Sequence, residues 1–478
     1  MSRTARARGR VVPSFGLPGS SSTAPAIGHA SALGRALVGA GVAVAAAALI
    51  AAQPSLARAN LFRCPIDLQQ NICLEATGTC PPYAPVGPAA SDWPVFQQNA
   101  QHTGRSPETG PTCANEVWRS KVKAKVLSAP VVGADGTLYV ASAKNPICAL
   151  DPSTGAIYWC STDNLGRLPD YCSPAVGNGN FIYIGTRDND LWAIDIPPRS
   201  ATEATVAWRQ KVCTDGDVTT PPLVGPDGLV YMGSNSLSAG TIMAMCPGPT
   251  RTVKWCIHPL DGGISNVSPA LSPANDVLYL THSGAYVDAV NASTGQQYWS
   301  VRLEHRLNGV RVPNYTPVVH PTTGKVYVGF DTGLWEVTPP ATPTGTPSTR
   351  LLFATYDRAH ERVLSPPALD VARGTIFLLA SRRLKPTFYA LDFDGNVKWS
   401  KSTAEIGNSL ARNTPPIVDA AGNVYLAVRK ALYGFGPNGN ALFTKETPAP
   451  FASSPILANG LLYAATVDGT VYAMGGCP

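Results

Sequence analysis

From Val117 onward the apolar residues fall in short alternating runs rather than helical stripes. Leu138-Tyr139-Val140, Phe181-Ile182-Tyr183-Ile184, Val277-Leu278-Tyr279-Leu280 and Val424-Tyr425-Leu426 are such runs. Others follow, as at Leu191-Trp192-Ala193-Ile194 and Phe388-Tyr389-Ala390-Leu391, and a further run carries Trp159, Trp208, Trp255, Trp299, Trp399 or Phe443. Gly, Asp, Asn and Pro separate them. Alternation with a period of two, bounded by turn residues, predicts β-strands, and no stretch between turns keeps a 3.6-residue period.

The runs repeat. Each unit opens on an anchor, a Ser or Thr followed by Pro and two apolar or small residues. The anchors are Ser128-Ala129-Pro130, Ser173-Pro174, Thr220-Pro221-Pro222, Ser268-Pro269, Thr316-Pro317, Ser365-Pro366-Pro367, Thr414-Pro415-Pro416 and Ser454-Pro455, spaced 39 to 50 residues apart. Four short strands per unit make one small antiparallel sheet, which cannot bury its own faces. Radial stacking buries them, so the sequence predicts an all-β, eight-bladed β-propeller. The last unit stops at Tyr472-Ala473-Met474 without a fourth strand, and a spare one, Val117-Trp118-Arg119-Ser120-Lys121-Val122, precedes the first anchor. The N-terminal strand is therefore expected to complete the last blade. Superposing the repeats places Cys113 and Cys477 where a turn would otherwise join those strands. A Cys113–Cys477 disulfide is expected to clasp the ring, the alternative being that either pairs with another of the 11 cysteines. Cys148 with Cys160 is a second candidate pair.

Before the repeats the pattern changes. Arg35 precedes a 17-residue run of apolar and small residues, Ala36 to Ala52, and Ala57-Arg58-Ala59 offers a cleavage pattern before Asn60. Residues 1–59 thus read as an export signal, with an uncleaved membrane anchor as the alternative. All cysteines follow this segment, which fits a periplasmic or extracellular location, and their odd number leaves one unpaired or paired between chains. The formal charge of +6 resides in the same segment, which holds six Arg and no acid. The remainder balances at 31 basic and 31 acidic residues. A neutral body argues against nucleic acid as partner, since a polyanion needs a basic face. Residues 60–111, rich in Cys and Pro, form a leader too short and polar for its own core, and residues 112–478 form the propeller.

Ala149, Asp151, Thr154, Gly155 and Trp159, and Ala289, Asn291, Thr294, Gly295 and Trp299, resemble the tryptophan-docking motif of the pyrroloquinoline-quinone (PQQ) repeat superfamily. A shortened copy runs from Ala390 to Trp399. Asp92 to Ser106 resembles the leader that precedes the first blade in many such proteins. The resemblance covers roughly residues 92–478 and implies the eight-bladed fold, with each Trp wedged between blades. It also opens one enzymatic class, PQQ-dependent quinoprotein oxidoreductases holding the quinone with calcium. Those enzymes resemble this chain in the repeat but carry longer inserts and a vicinal disulfide over the quinone, and this sequence has no adjacent cysteines.

Other chemistry is sparse. The seven His residues show no HxH or HExxH spacing, and no GxSxG, Walker or GxGxxG element occurs. Asp392-x-Asp394-Gly395-Asn396 is read as a hairpin turn rather than a calcium loop. The anchor hydroxyls should ring the axial channel, and Arg167, Arg311, Arg362 and Arg412 precede anchors at one mouth, where they could receive an anionic ligand. The expectation is an exported, monomeric, non-catalytic propeller that binds or scaffolds a protein or envelope polymer, with no catalytic, metal or cofactor residues assigned. The alternatives are a PQQ-dependent oxidoreductase and a secreted polysaccharide- or peptide-binding propeller.

Overall fold

A computed structural model describes residues 66–67, 72–73 and 78–477, except 85–86, 144–146, 162–167, 170–171, 212–217, 219, 235–239, 258–263, 265–266, 283, 304–315, 356–361, 364, 383–384 and 407–413. At 66–67, 72–73, 362, 382, 385 and 403–404 only the backbone is described.

Each anchor proline leads into an inner strand of two or three residues, from which the chain meanders outward through three longer strands. Blade one runs Val131–Val132, Leu138–Ala141, Ile147–Leu150 and Ile157–Cys160. Blade two is Ala175–Gly177, Phe181–Gly185, Asp190–Asp195 and Val206–Lys211. Blades three to seven repeat the antiparallel plan from Leu223–Val224 to Ala441–Glu446. Blade eight takes Ile456–Ala458, Leu461–Ala465 and Thr470–Gly475 from the C-terminus. Its outer strand is Asn115–Lys121, with Trp118 opposite Ala473. The N-terminal strand therefore completes the last blade. Two additions decorate the plan. The hairpin Ile66–Asp67/Ile72–Cys73 extends blade three through Ile72 and Ile257, and Arg362–Val363 pairs with Ser381 and Ala380 in blade six.

The middle strands are buried on both faces because each blade is sandwiched between two others. Core clusters accordingly cross blade boundaries: Tyr425 of blade seven, Ile456 and Tyr463 of blade eight and Leu138 of blade one share one. Each such side chain contributes about 1.5–3 kcal/mol by leaving water.

A recurrent device locks the joints on one rim, at the turn between the third and fourth strands. The outer-strand Trp of one blade donates its indole N–H to a carbonyl in that turn of the next. Trp118 reaches Pro152 O at 2.9 Å, Trp208 Gly248 O at 3.0 Å, Trp255 Ala292 O at 3.0 Å and Trp399 Pro437 O at 2.8 Å. At two joints a second-strand Tyr donates to the same oxygen: Tyr463 to Pro152 O at 3.1 Å and Tyr231 to Ala292 O at 3.2 Å.

Cys113 is bonded to Cys477, Cys148 to Cys160 across adjacent strands, and Cys80 to Cys246, with Cα separations of 5.6, 4.0 and 5.4 Å. Cys80–Cys246 pins the leader to blade three. Cys256 is also disulfide-bonded, whereas Cys172 is a buried free thiol.

Candidate functional site

The axial channel is where the sequence places its candidate chemistry, and the inner strands define it. Nothing pairs with their axial edges inside the sheet, so their N–H groups need other acceptors. The leader supplies them. Val132 N donates to Trp93 O (2.9 Å), Val176 N to Pro94 O (2.8 Å) and Leu271 N to Ala100 O (2.8 Å). Val319 N donates to Gln101 O (2.9 Å), Leu369 N to Thr103 O (2.8 Å) and Val418 N to Gly104 O (2.9 Å). In each case the donor is the second residue of an inner strand, so one segment, Trp93–Gly104, is bonded in chain order to blades one, two, four, five, six and seven. Trp93, Val95, Gln97, His102 and Thr103 are buried there.

Side chains drive the plug deeper. Gln97 donates from Nε2 to Pro367 O at 2.9 Å, reaching the anchor of blade six. His102 lies between two carbonyls, with Nδ1 2.8 Å from Phe96 O and Nε2 2.8 Å from Pro269 O of the blade-four anchor. Burial pulls the His102 pKa down to about 4, although both carbonyls favour the protonated ring. Gln97, Gln98 and His102 all have positive φ, 51°, 79° and 56°. L-residues adopt this conformation at a cost of about 1–2 kcal/mol each, which the axial hydrogen bonds offset. Sequence reasoning identified residues 60–111 as a leader without a core of its own but missed that it lies along the inner strands. The only available signal was the resemblance of Asp92–Ser106 to a family leader.

The anchor hydroxyls are buried, and half the ring ties itself together. Ser173 accepts from Ala129 N (3.1 Å), Thr316 from Ser268 N (3.1 Å), Ser268 donates to Pro221 O (3.0 Å), and Thr220 exchanges bonds with Gly233. Ser128, Ser365 and Thr414 make no such bond within the protein. Of the channel-mouth arginines, Arg167, Arg311 and Arg412 lie outside the described residues, and Arg362 is described only as a strand residue opposite Ser381.

The described residues do not form a site for calcium-bound PQQ. The polar groups at the anchors are hydroxyls, with the Gln97 amide beside them, and among the described residues no group of three or more His, Cys, Asp or Glu could hold a metal. Asp392 accepts from the backbone N–H of Asp394 and Asn396, so this motif is a turn. One buried pair was not anticipated: His282 Nε2 lies 3.1 Å from Asp288 Oδ2, with the His ring stacked on Tyr286 at 4.9 Å. Its members flank one hairpin of blade four, six positions apart, and bridge it.

Four-stranded blades, Trp-locked joints and an N-terminal closing strand define a ring-closed propeller. A family profile described as "Outer membrane protein assembly factor BamB" matches residues 110–197 and 170–335. Over residues 110–335 the chain is thus similar to that profile, and its fold is a PQQ-like β-propeller. Among solved structures it resembles a quinohemoprotein alcohol dehydrogenase, ADHIIG, from Pseudomonas putida HK5, at 13% identity and TM-score 0.62 over 82% of this chain and 81% of that one. It also resembles a europium-containing methanol dehydrogenase (15% identity, TM-score 0.61, 79% and 89% covered). BamB from Moraxella catarrhalis matches at 16% identity and TM-score 0.52, over 76% of this chain and 97% of that one. At these identities the likeness is one of fold. No curated protein matches in sequence.

Proposed function

We propose that the protein is an exported, non-catalytic propeller that binds or scaffolds a protein or envelope polymer through the face where the anchors begin. The observation that carries this reading is the plug. With Trp93–Gly104 hydrogen-bonded across the inner strands, one end of the channel is spent on holding the ring together, which leaves the opposite face for contacts. Disulfides at three described pairs fit an oxidising compartment. Among the described residues no helix is long and apolar enough to cross a membrane. Balanced charge outside the first 59 residues favours a partner other than a polyanion.

The test has two arms. Purified protein from Asn60 onward is titrated with PQQ and Ca²⁺ while dye-linked alcohol and aldose oxidation is followed. A photo-crosslinking residue is then placed at Arg167, Arg311 or Arg412, with Arg119 on an outer strand as control. The expected result is no turnover, together with a discrete adduct in intact cells from the anchor-face positions alone. Stoichiometric PQQ binding with turnover would overturn the proposal in favour of a quinoprotein oxidoreductase.

A further inference from the structure

The joint between blades one and two departs from the locking device. Its donors are in place: Tyr139 and Trp159 hold the same tilted ring pair, 5.9 Å apart at 41°, that Tyr463 and Trp118 hold at 5.8 Å and 41° and that Tyr231 and Trp255 hold at 6.0 Å and 45°. At those two joints both donors converge on one turn carbonyl, Pro152 O or Ala292 O. At the first joint the Trp159 indole N–H has no hydrogen-bond acceptor among the described residues. The matching residue of blade two is Ile196, whose N–H bonds Asn180 O just as Ala292 N bonds Asp276 O. Its carbonyl is displaced for a reason written in the chain. Pro152 and Ala292 lie in tight turns closed by Gly155 N to Asp151 O and Gly295 N to Asn291 O. Ile196 instead precedes Pro197-Pro198, and a following proline disfavours the helical φ/ψ that such a turn needs.

A cavity of about 380 Å³ occupies the vacated position, within the range of roughly 300–1,000 Å³ typical of small-molecule sites. Tyr139, Trp159, Ile196 and Pro198 line it with apolar surface, and Asp135 and Arg199 give it a polar wall. Arg199 donates from Nε to Asp135 Oδ2 at 3.0 Å and to Thr137 Oγ1 at 3.2 Å and from Nη2 to Asp135 O at 2.7 Å, and its guanidinium lies 5.2 Å over the Tyr158 ring, so among the described residues only Nη1 has no acceptor. Against partial burial, hydrogen bonds from Thr137 and Arg199 hold Asp135 below the usual carboxylate range, so the wall is an ion pair with no net charge. Burial raises the Tyr139 pKa, and its hydroxyl also interacts with the Thr137 side chain beside it. Among the described residues Tyr279 and Trp299 also have no turn carbonyl at the joint of blades four and five. The first joint adds a cavity beside its Trp and Tyr.

We propose that this cavity binds a neutral ligand bearing an amide carbonyl, whose oxygen takes the place of the missing turn carbonyl and accepts from Trp159 Nε1 and Tyr139 Oη. An acetamido sugar and a short peptide both carry that group, and both fit the apolar wall with the methyl or side chain against Pro198. The site is separate from the channel, so its fate is independent of the scaffold reading.

Isothermal titration with N-acetyl-D-glucosamine, N-acetylglycinamide and D-glucose tests it. At least one acetylated probe should saturate and glucose should not; the probe that binds more tightly identifies the source as sugar or peptide. Tyr139→Phe with Trp159→Phe removes both donors but keeps both rings, and should weaken binding roughly 10- to 30-fold. Arg199→Gln removes the charged donor of the polar wall, and should weaken it about fivefold. Failure of both acetylated probes to saturate, equal binding of glucose, or undiminished binding by either variant would sink the proposal.

Discussion

At His102 two carbonyl oxygens face a ring that burial keeps neutral, so one of its nitrogens meets a carbonyl without a proton between them. An unfolded histidine titrates near 6.5 and this one near 4. Between those values the unfolded chain binds more protons, so stability is fully present above pH 6.5 and falls as the pH drops toward 4. The loss attributable to this residue is at most about 3 kcal/mol. Thermal unfolding of wild type and His102→Asn across pH 4–7 should show the variant less stable at pH 7 and flatter through that window, since Asn tolerates the left-handed backbone and does not titrate. Parallel profiles would mean that the plug owes nothing to this side chain's protonation. The sequence shows His102 only as one of seven scattered histidines; its burial depends on the leader reaching Pro269, a contact 167 residues away.

Blades hold one another by aromatic donors set into turns, and the glycine of the motif is what admits the ring. At Gly295, φ is +76° and an added Cβ would lie 2.7 Å from Trp255 Cε3. Gly324 has nearly the same backbone, φ +71°, but its nearest contact would be Pro273 Cδ at 3.8 Å. Gly324→Ala should therefore cost only the conformational term, about 1 kcal/mol, whereas Gly295→Ala should cost about 2–4 kcal/mol because the indole must also move. Urea unfolding midpoints of the two variants separate the effects, and equal losses would deny the glycine its docking role. At this scale the sequence is highly legible. Trp255 and Gly295 each stand at a recurring position of the repeat, so their residue types are readable, while the contact between them crosses from blade three to blade four. Blade five, whose fourth strand Ser348–Ala354 lacks a Trp, is the least legible.

The ring is one cooperative object, and Cys113–Cys477 spans almost all of it. On the chain-entropy account, a bond closing a separation of 364 residues is worth about 6 kcal/mol, and Cys148–Cys160, across 12, about 3 kcal/mol, both as ceilings. Replacing both members of each pair by Ser should lower the denaturation midpoint in that order. A larger loss from Cys148 and Cys160 would show that local strand pairing, rather than ring closure, limits unfolding. The plug belongs to the same scale. It bridges inner strands of six blades, so it ties together elements that the meander leaves connected only through their neighbours.

The amino-acid sequence by itself determined the number of blades, their four-strand plan and the closure of blade eight by the N-terminal strand. These follow from alternation, turn residues and repeat spacing, all of which act over tens of residues or recur often enough to be read. The tertiary structure alone decided where the leader goes and what the first joint became. Ile196-Pro197-Pro198 stands in the sequence as an irregular turn. Only when blade one sets Tyr139 and Trp159 against it do two donors and an absent carbonyl become a cavity, because a hydrogen bond between blades depends on backbone directions that neighbouring residues alone do not fix.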